Sequence, residues 1–224
     1  MGLLNLQMIT GPVVEPVSLA QAKNQLRVDF PDDDALIVGL ITAARVYAER
    51  AMRRAIFNQE WQRTLDFFPI WSGGTTVNPT DRGSWMYYSQ YWNAVRIDLP
   101  GQVSSIVSIS YLDPSSGQQV VLPASDYILD PTSIPGRIVP AQGMTWPVQE
   151  LYAPGSVQIL YVTGSYGDGV AKNACPQTIV QAILMLANHW YHHRSAVEDG
   201  QMKEVPLAVK ALLDCHKMEA FEYQ

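Results

Sequence analysis

Apolar residues recur three and four positions apart from Pro16 to Ala55, which predicts two amphipathic helices in this stretch. The acidic run Asp32–Asp34 separates them, and its negative charge suits the positive end of the second helix. Ser18 followed three residues later by Gln21 predicts a capping box at the start of the first helix. The second helix is the longest amphipathic segment, so we expect the later helices to pack against it.

The apolar period changes to two after residue 58, which predicts β-strands in residues 59–169. Turn signals such as Asp113–Gly117 and Pro154–Gly155 separate the alternating runs. We therefore expect a small antiparallel β domain, either a sandwich or an open barrel. The alternating apolar positions are Trp61, Leu65, Phe67, Val95, Ile97, Leu99, Val107, Ile109, Tyr111, Val157, Ile159 and Tyr161.

Helical spacing returns at Pro176, a residue type that favours the first turn of a helix. A last helix is predicted from Pro206 to Phe221, with Leu212 and Leu213 facing inward. The apolar stripe of the earlier of these two helices consists of Ile179, Ile183, Leu186 and Trp190.

The expected fold class is α+β. Residues 1–58 and 170–224 are predicted to form the two halves of a helical bundle, and residues 59–169 an antiparallel β domain inserted between them. Glycine and proline interrupt residues 1–15, which indicates an extended arm. At 224 residues the chain can bury a core without a disulfide. Cys175 and Cys215 are far apart in sequence, and we expect reduced thiols without predicting whether they approach each other.

The composition argues against some classes of function and favours others. The net charge of -6 disfavours a protein whose main task is to grip nucleic acid, because that task needs clustered Lys and Arg. Only 16% of residues are charged and 10% are aromatic, which indicates that much of the surface faces other protein. No apolar run approaches the length of a membrane span, and no signal peptide is apparent, so we expect no membrane association.

Three groups of residues could in principle form a metal site or a phosphate-binding site. His189, His192 and His193 have spacings compatible with a metal, but no further ligand is patterned beside them. The glycine-rich Gly164–Gly169 lacks the Lys of a phosphate loop and is better explained as a crossover between domains. Asp32–Asp34 is explained by helix capping. We therefore expect no metal, no cofactor, no catalytic residues and no enzymatic activity.

The segment from residue 71 to residue 92 combines aromatic side chains with Gly, Ser, Thr and Asn, and is predicted to be a long loop or hairpin tip. Such aromatic surfaces are enriched at protein interfaces. A platform that stacks sugar or single-stranded nucleic acid is an alternative, although Arg82 is its only basic residue. The aromatic residues are Trp71, Trp85, Tyr87, Tyr88, Tyr91 and Trp92.

Four motifs of the first helical stretch form an ordered series: PVSLAQAK at 16–23, LRVD at 26–29, DDALI at 33–37 and AARVYAE at 43–49. Further segments follow, namely Leu99–Tyr111, Asp126–Tyr127, Gly136–Ile138, Trp146–Pro147 and Pro176–Leu213. This series resembles the head–tail connector proteins of tailed phages, the adaptor or head-completion proteins that bind the portal. The resemblance covers nearly the whole chain, and residues 71–92 depart from it because they are longer and more aromatic.

The resemblance implies a structural virion protein in the neck, at the head–tail junction, assembled in the host cytoplasm. It implies a ring, usually of twelve copies, that binds the portal protein, extends the DNA channel without sequence-specific binding and seats the next stopper or tail component. The C-terminal segment, about residues 212–224, is implied to dock on the portal. Candidate interface residues are therefore the six aromatic residues named above together with Leu212, Leu213, Phe221 and Tyr223.

Two alternatives remain open. The chain resembles other neck rings less, since stopper and tail-completion proteins are usually richer in β-structure and lack flanking helices. A ligand-binding or carbohydrate-binding module that uses the aromatic segment 71–92 belongs to a different functional class, and would bind its ligand as an isolated monomer.

Overall fold

The computed structural model describes residues 5–69, 95–147, 154–170, 174–193, 197–198, 201–202 and 207–218. The described residues form two compact units. The β unit is drawn from Met1–Gly11 and Gln59–Thr163, and the helical unit from Pro12–Asn58 and Gly164–Gln224. The β unit thus interrupts the helical unit in sequence, and the N-terminal arm belongs with the β-strands rather than with the helices that follow it.

Two antiparallel sheets build the β unit. The larger sheet has the order β1–β2–β8–β4–β5, with β1 at Asn5–Thr10, β2 at Gln59–Leu65, β8 at Val157–Thr163, β4 at Val103–Leu112 and β5 at Gln119–Val121. The smaller has the order β3–β7–β6, with β3 at Ile97–Leu99, β7 at Gly136–Pro140 and β6 at Tyr127–Asp130. A short 3-10 helix, Ala124–Asp126, precedes β6. Among the described strands neither sheet closes into a barrel.

Both sheets contribute to one apolar core. The central strand β8 alternates as predicted, because Val157, Ile159 and Tyr161 are buried while the residues between them are half-buried. From the smaller sheet, Leu99 and Ile138 enter the same core. The arrangement is that of two packed sheets, so the predicted antiparallel β domain is confirmed.

Two of the predicted inward positions are wrong. Val107 is 49% exposed, because the pairing of β4 with β8 shifts between Ile106 and Ser108 and this bulge turns Val107 outward. Phe67 is also half exposed, since β2 ends at Leu65 and the alternation ends with it. The buried aromatic residue at this point is the next one, Phe68.

The helical unit contains four described helices. They are α1 at Leu19–Leu26, α2 at Asp34–Met52, α3 at Gln177–His192 and α4 at Leu207–Asp214. Between α3 and α4 the chain forms two antiparallel strands of two residues each, β9 at Val197–Glu198 and β10 at Gln201–Met202. Helix α2 contacts each of the other three. The N-terminal helices therefore pack against the C-terminal ones, and the predicted α+β fold class is confirmed. Among the described residues, no helix is both long and apolar enough to cross a membrane.

Helix α1 begins with the predicted capping box. The backbone N–H of Gln21 donates to the Ser18 hydroxyl at 3.2 Å, and the backbone N–H of Ser18 donates to the Gln21 side-chain oxygen at 2.9 Å. The segment that leads into α2 is bonded to α1 and to α3. Lys23 on α1 forms an ion pair with Asp34 at 2.6 Å, and the Tyr191 hydroxyl on α3 donates to Asp33. Asp33 and Asp34 therefore have structural partners.

The last helix is shorter than predicted. Helix α4 ends at Asp214, whereas the sequence pattern extends it to Phe221. The chain turns there, with the backbone N–H of His216 bonded to Leu213 and that of Lys217 bonded to Asp214. The backbone N–H of Met218 then bonds to the carbonyl of Met52, at the end of α2. Contacts with other segments thus replace the next turn of helix.

Candidate functional site

The predicted interface residues fall into two groups in the structure. Trp71, Trp85, Tyr87, Tyr88, Tyr91, Trp92, Phe221 and Tyr223 lie outside the described residues. Leu212 and Leu213 lie at the end of α4. Leu213 is 1% exposed and belongs to the core of the helical unit, and Leu212 is half-buried against that core. Leu213 thus already packs within its own unit.

Helix α4 is amphipathic in the described part of the chain. Val209 and Leu213 are buried, whereas Leu207 is 79% exposed. The buried residues face α3 and α2, the two helices that α4 contacts. The first turn of α4 therefore presents an apolar side chain to solvent, while its last turn is fixed to the helical unit.

A polar cluster fixes the residues that follow α4. We call Arg54, Tyr166, Thr178 and His216 the C-terminal anchor. The Arg54 guanidinium donates to the Tyr166 hydroxyl at 3.0 Å and lies 5.4 Å from the centre of its ring. The Tyr166 hydroxyl is 3.4 Å from Nδ1 of His216, and the Thr178 hydroxyl is 2.6 Å from Nε2 of the same ring. Four segments of the helical unit meet at His216.

The hydrogen bonds of the C-terminal anchor can form in either tautomer of His216. A guanidinium only donates, so the Tyr166 oxygen accepts from Arg54. With the proton of His216 on Nε2, Tyr166 donates to Nδ1 and Nε2–H donates to Thr178; with the proton on Nδ1, Nδ1–H donates to the Tyr166 oxygen and the Thr178 hydroxyl donates to Nε2. The Arg54 guanidinium also lies 3.4 Å from the His216 carbonyl, which it can bond directly.

The glycine-rich crossover runs beside the segment that leaves α2. The backbone N–H groups of Ser165 and Tyr166 bond to the carbonyls of Ala55 and Ile56, and the N–H of Asn58 bonds to the carbonyl of Gly167. These bonds form a short ladder within the helical unit. A Cβ at Gly164 would lie 2.6 Å from the backbone nitrogen of Asn58, so this glycine permits the close approach of the two segments. The geometry supports the crossover interpretation of Gly164–Gly169.

The histidines at the end of α3 contact neighbouring aromatic rings. The rings of His189 and His193 are 4.9 Å apart, and the ring of His192 lies against Tyr191. In the part of the chain that the structure describes, no group of three or more His, Cys, Asp or Glu side chains has the geometry to hold a metal.

A buried ion network in the helical unit was not predicted. Arg45 is 5% exposed, although the spacing of apolar residues in α2 places it off the apolar stripe. Its guanidinium donates at 2.8 Å both to Glu15, in the segment before α1, and to Glu49, one turn along α2. Glu15 also accepts from Thr42, and Glu49 from the backbone N–H of Ile56. The network joins the segment that enters α1 to the segment that leaves α2.

Both cysteines are thiols. Burial raises the pKa of the Cys175 thiol to about 11, so this thiol is protonated at neutral pH and is a poor nucleophile. Cys215 is exposed at the start of the turn after α4.

Comparison with known proteins tests the resemblance seen in the sequence. Residues 16–70 match the family model of the Phage gp6-like head-tail connector protein. The predicted resemblance to head–tail connector proteins is confirmed. The matched region contains α1, α2 and β2, and so includes the capping box, Arg54 and two members of the buried ion network, Arg45 and Glu49. No curated protein matches the sequence.

Solved structures extend the similarity over the length of the chain. A chain from the neck of an empty gene transfer agent particle, computed with C6 symmetry, has a TM-score of 0.67 at 19% identity and covers 97% of both chains. A chain from the virion of the native particle has a TM-score of 0.65 at 20% identity and covers 98% of both. A chain from the native neck, computed with C12 symmetry, has a TM-score of 0.61 at 18% identity. At these identities the likeness shows only that this chain shares its fold with those chains of the gene transfer agent particle.

Proposed function

We propose that this chain is a structural head–tail connector of the adaptor type, located in the neck of a tailed phage or a phage-like particle. The observation that carries the proposal is the coincidence of two similarities in one chain. Residues 16–70 match the connector family, and 97% of the chain shares its fold with a protein of a gene transfer agent neck. The role is assembly rather than catalysis, and it requires no cofactor.

The proposed assembly is a ring, with twelve copies as the preferred number. In a closed ring each subunit uses two different surfaces, one for each neighbour. A low content of charged residues, 16%, suits a chain that hides two faces against its own copies. The related neck structures were computed with C6 and C12 symmetry, which supports a ring of this order.

The channel of the ring would surround DNA without gripping it. A net charge of -6 gives the subunit no overall attraction for phosphate, so a duplex can slide past. In this arrangement we propose that the residues after Met218 bind the portal, and that the aromatic segment 71–92 contacts the stopper or tail component. The proposed portal contacts include Phe221 and Tyr223.

The ring proposal predicts the result of mixing the purified chain with the portal protein of the same particle. We expect electron microscopy to show a ring of this chain stacked on the portal with the portal's rotational order. A chain that stays monomeric and does not bind the portal would contradict the proposal. Binding only to a preformed portal–adaptor complex would instead place the chain one ring lower, as a stopper.

Replacing Trp85, Tyr87 and Tyr88 together with alanine is expected to block attachment of tails, because aromatic anchors supply much of the free energy of protein interfaces. The measurement is the fraction of heads that acquire tails in an in vitro assembly mixture. The matched control replaces the same three residues with phenylalanine, which keeps an aromatic ring at each position and is expected to retain attachment. Normal tail attachment by the alanine variant, together with loss of binding to a glycan array, would support the carbohydrate-binding alternative.

A further inference from the structure

The chain turns away from helix at a point where its sequence favours helix. No glycine or proline occurs between Leu207 and Gln224, so neither of the strong helix-breaking residues explains the end of α4 at Asp214. The turn at residues 215–218 is nevertheless bonded to the rest of the helical unit, through His216 to Tyr166 and Thr178 and through the backbone of Met218 to Met52. The C-terminal anchor therefore ends α4.

We propose that the C-terminal anchor is a positioning device, which fixes the direction in which the residues after Met218 leave the helical unit and so presents them to the portal. The inference rests on the proposed connector function. It adds that Arg54, Tyr166, Thr178 and His216 set portal affinity without touching the portal, because they order the attachment point of the segment that does.

The anchor is separable from the docking of α4 itself. Val209 and Leu213 are buried in the core of the helical unit and hold the helix by apolar contact. The anchor acts one turn later, through polar atoms at His216 and through one backbone bond at Met218. Loss of the His216 ring thus removes the fixed turn and leaves the buried face of α4 in place.

Fixing a turn before binding lowers the conformational entropy that binding must remove. With the anchor intact, the residues after Met218 start from one place beside the end of α2. Without it, residues 215–218 are no longer held by Tyr166 and Thr178, and α4 is able to continue as helix in a different direction. Portal affinity falls even though every residue that contacts the portal is still present.

The test uses the full chain and the portal of the same particle. For His216→Ala and for Tyr166→Phe we expect hydrogen exchange at the amides of Lys217 and Met218 to accelerate about tenfold or more, with exchange in α2 and α3 unchanged. We expect portal affinity to fall about tenfold in both variants. The matched control is Tyr47→Phe, which deletes the same hydroxyl from a tyrosine of the same unit that packs on Trp190.

A second background separates positioning from general stability. In a chain that carries Phe221→Ala and Tyr223→Ala, the tail no longer binds productively, so adding His216→Ala should cause no further loss of portal affinity. An equal loss in both backgrounds would overturn the inference. Unchanged portal affinity of His216→Ala in the otherwise native chain would also overturn it, while leaving the connector function intact. Failure of the native chain to bind the portal would overturn the connector function, and the positioning role with it.

Discussion

Replacing Arg45 with alanine is expected to lower the free energy of unfolding of the helical unit by about 3–5 kcal/mol. Arg45 is 5% exposed and is the cation that two carboxylates share. Its removal leaves Glu15 and Glu49 near each other, partly shielded from water and without their counter-ion. The cost arises mainly from the uncompensated charges, because a buried ion pair gains little over an apolar pair but is costly to break.

Three variants test this explanation by urea unfolding followed by circular dichroism in the helical band. Arg50→Ala, on an exposed position of the same helix, is the control and should change the unfolding free energy by less than about 0.5 kcal/mol. Arg45→Met combined with Glu15→Gln and Glu49→Gln removes all three charges, and should recover most of the loss. A loss for Arg45→Ala no larger than that of Arg50→Ala would show that water solvates the carboxylates and that the network contributes little.

The burial of Arg45 could not be predicted from the spacing of residues in its own helix. Periodicity located α2 because apolar side chains on one face of a helix are a local property of the sequence. It placed Arg45 off the apolar stripe, where a charged side chain is ordinarily solvated. The residue is buried because Glu15, thirty positions earlier and outside any helix, supplies a partner. Spacing along one helix contains no information about that partner.

Contacts between distant segments also explain the other differences. Glycine and proline predicted that residues 1–15 are extended, but the strand partner of β1 is β2, more than fifty residues away. The helical pattern continued to Phe221, but His216 is bonded to side chains from two other segments. The alternation in β4 placed Val107 inward, but a bulge against β8 turns it outward. The extended conformation predicted for the arm is correct for Asn5–Thr10, and only its strand partner was not predicted. The other two differences arise where contacts with distant segments override local preference.

The resemblance predicted the fold better than it predicted a site, and the reason lies in which residues carry it. Trp146 is one of the residues on which the resemblance in the sequence rests, and it is 4% exposed in the β unit. Its ring stacks on Phe68 with centres 5.1 Å apart, and its indole N–H donates to the carbonyl of Val95. A residue with these contacts builds a core. Trp146 therefore serves the framework, whereas residues 71–92, the segment proposed to contact a partner, depart from the resemblance.

This argument predicts that Trp146→Ala destabilises the β unit by about 3–5 kcal/mol, through the cavity it leaves and the unpaired carbonyl of Val95. The measurement is the protection of β4 and β8 amides against hydrogen exchange as urea is increased. Trp146→Phe keeps a stacked ring and loses only the N–H donor and part of the volume, so it should cost less, about 1–3 kcal/mol. Val121→Ala, at a position 62% exposed, is the surface control.

The framework interpretation of Trp146 further requires that function follow stability. At a temperature where the β unit of the Trp146→Phe variant is folded, that variant should form rings on the portal as the native chain does, because no side chain at an interface has changed. If Trp146→Phe remains folded but no longer assembles, Trp146 acts at an interface as well as in the core. In that case the resemblance would include interface residues as well as core residues. The other residues of the β unit that carry the resemblance in the sequence would then be candidates for the same interface role.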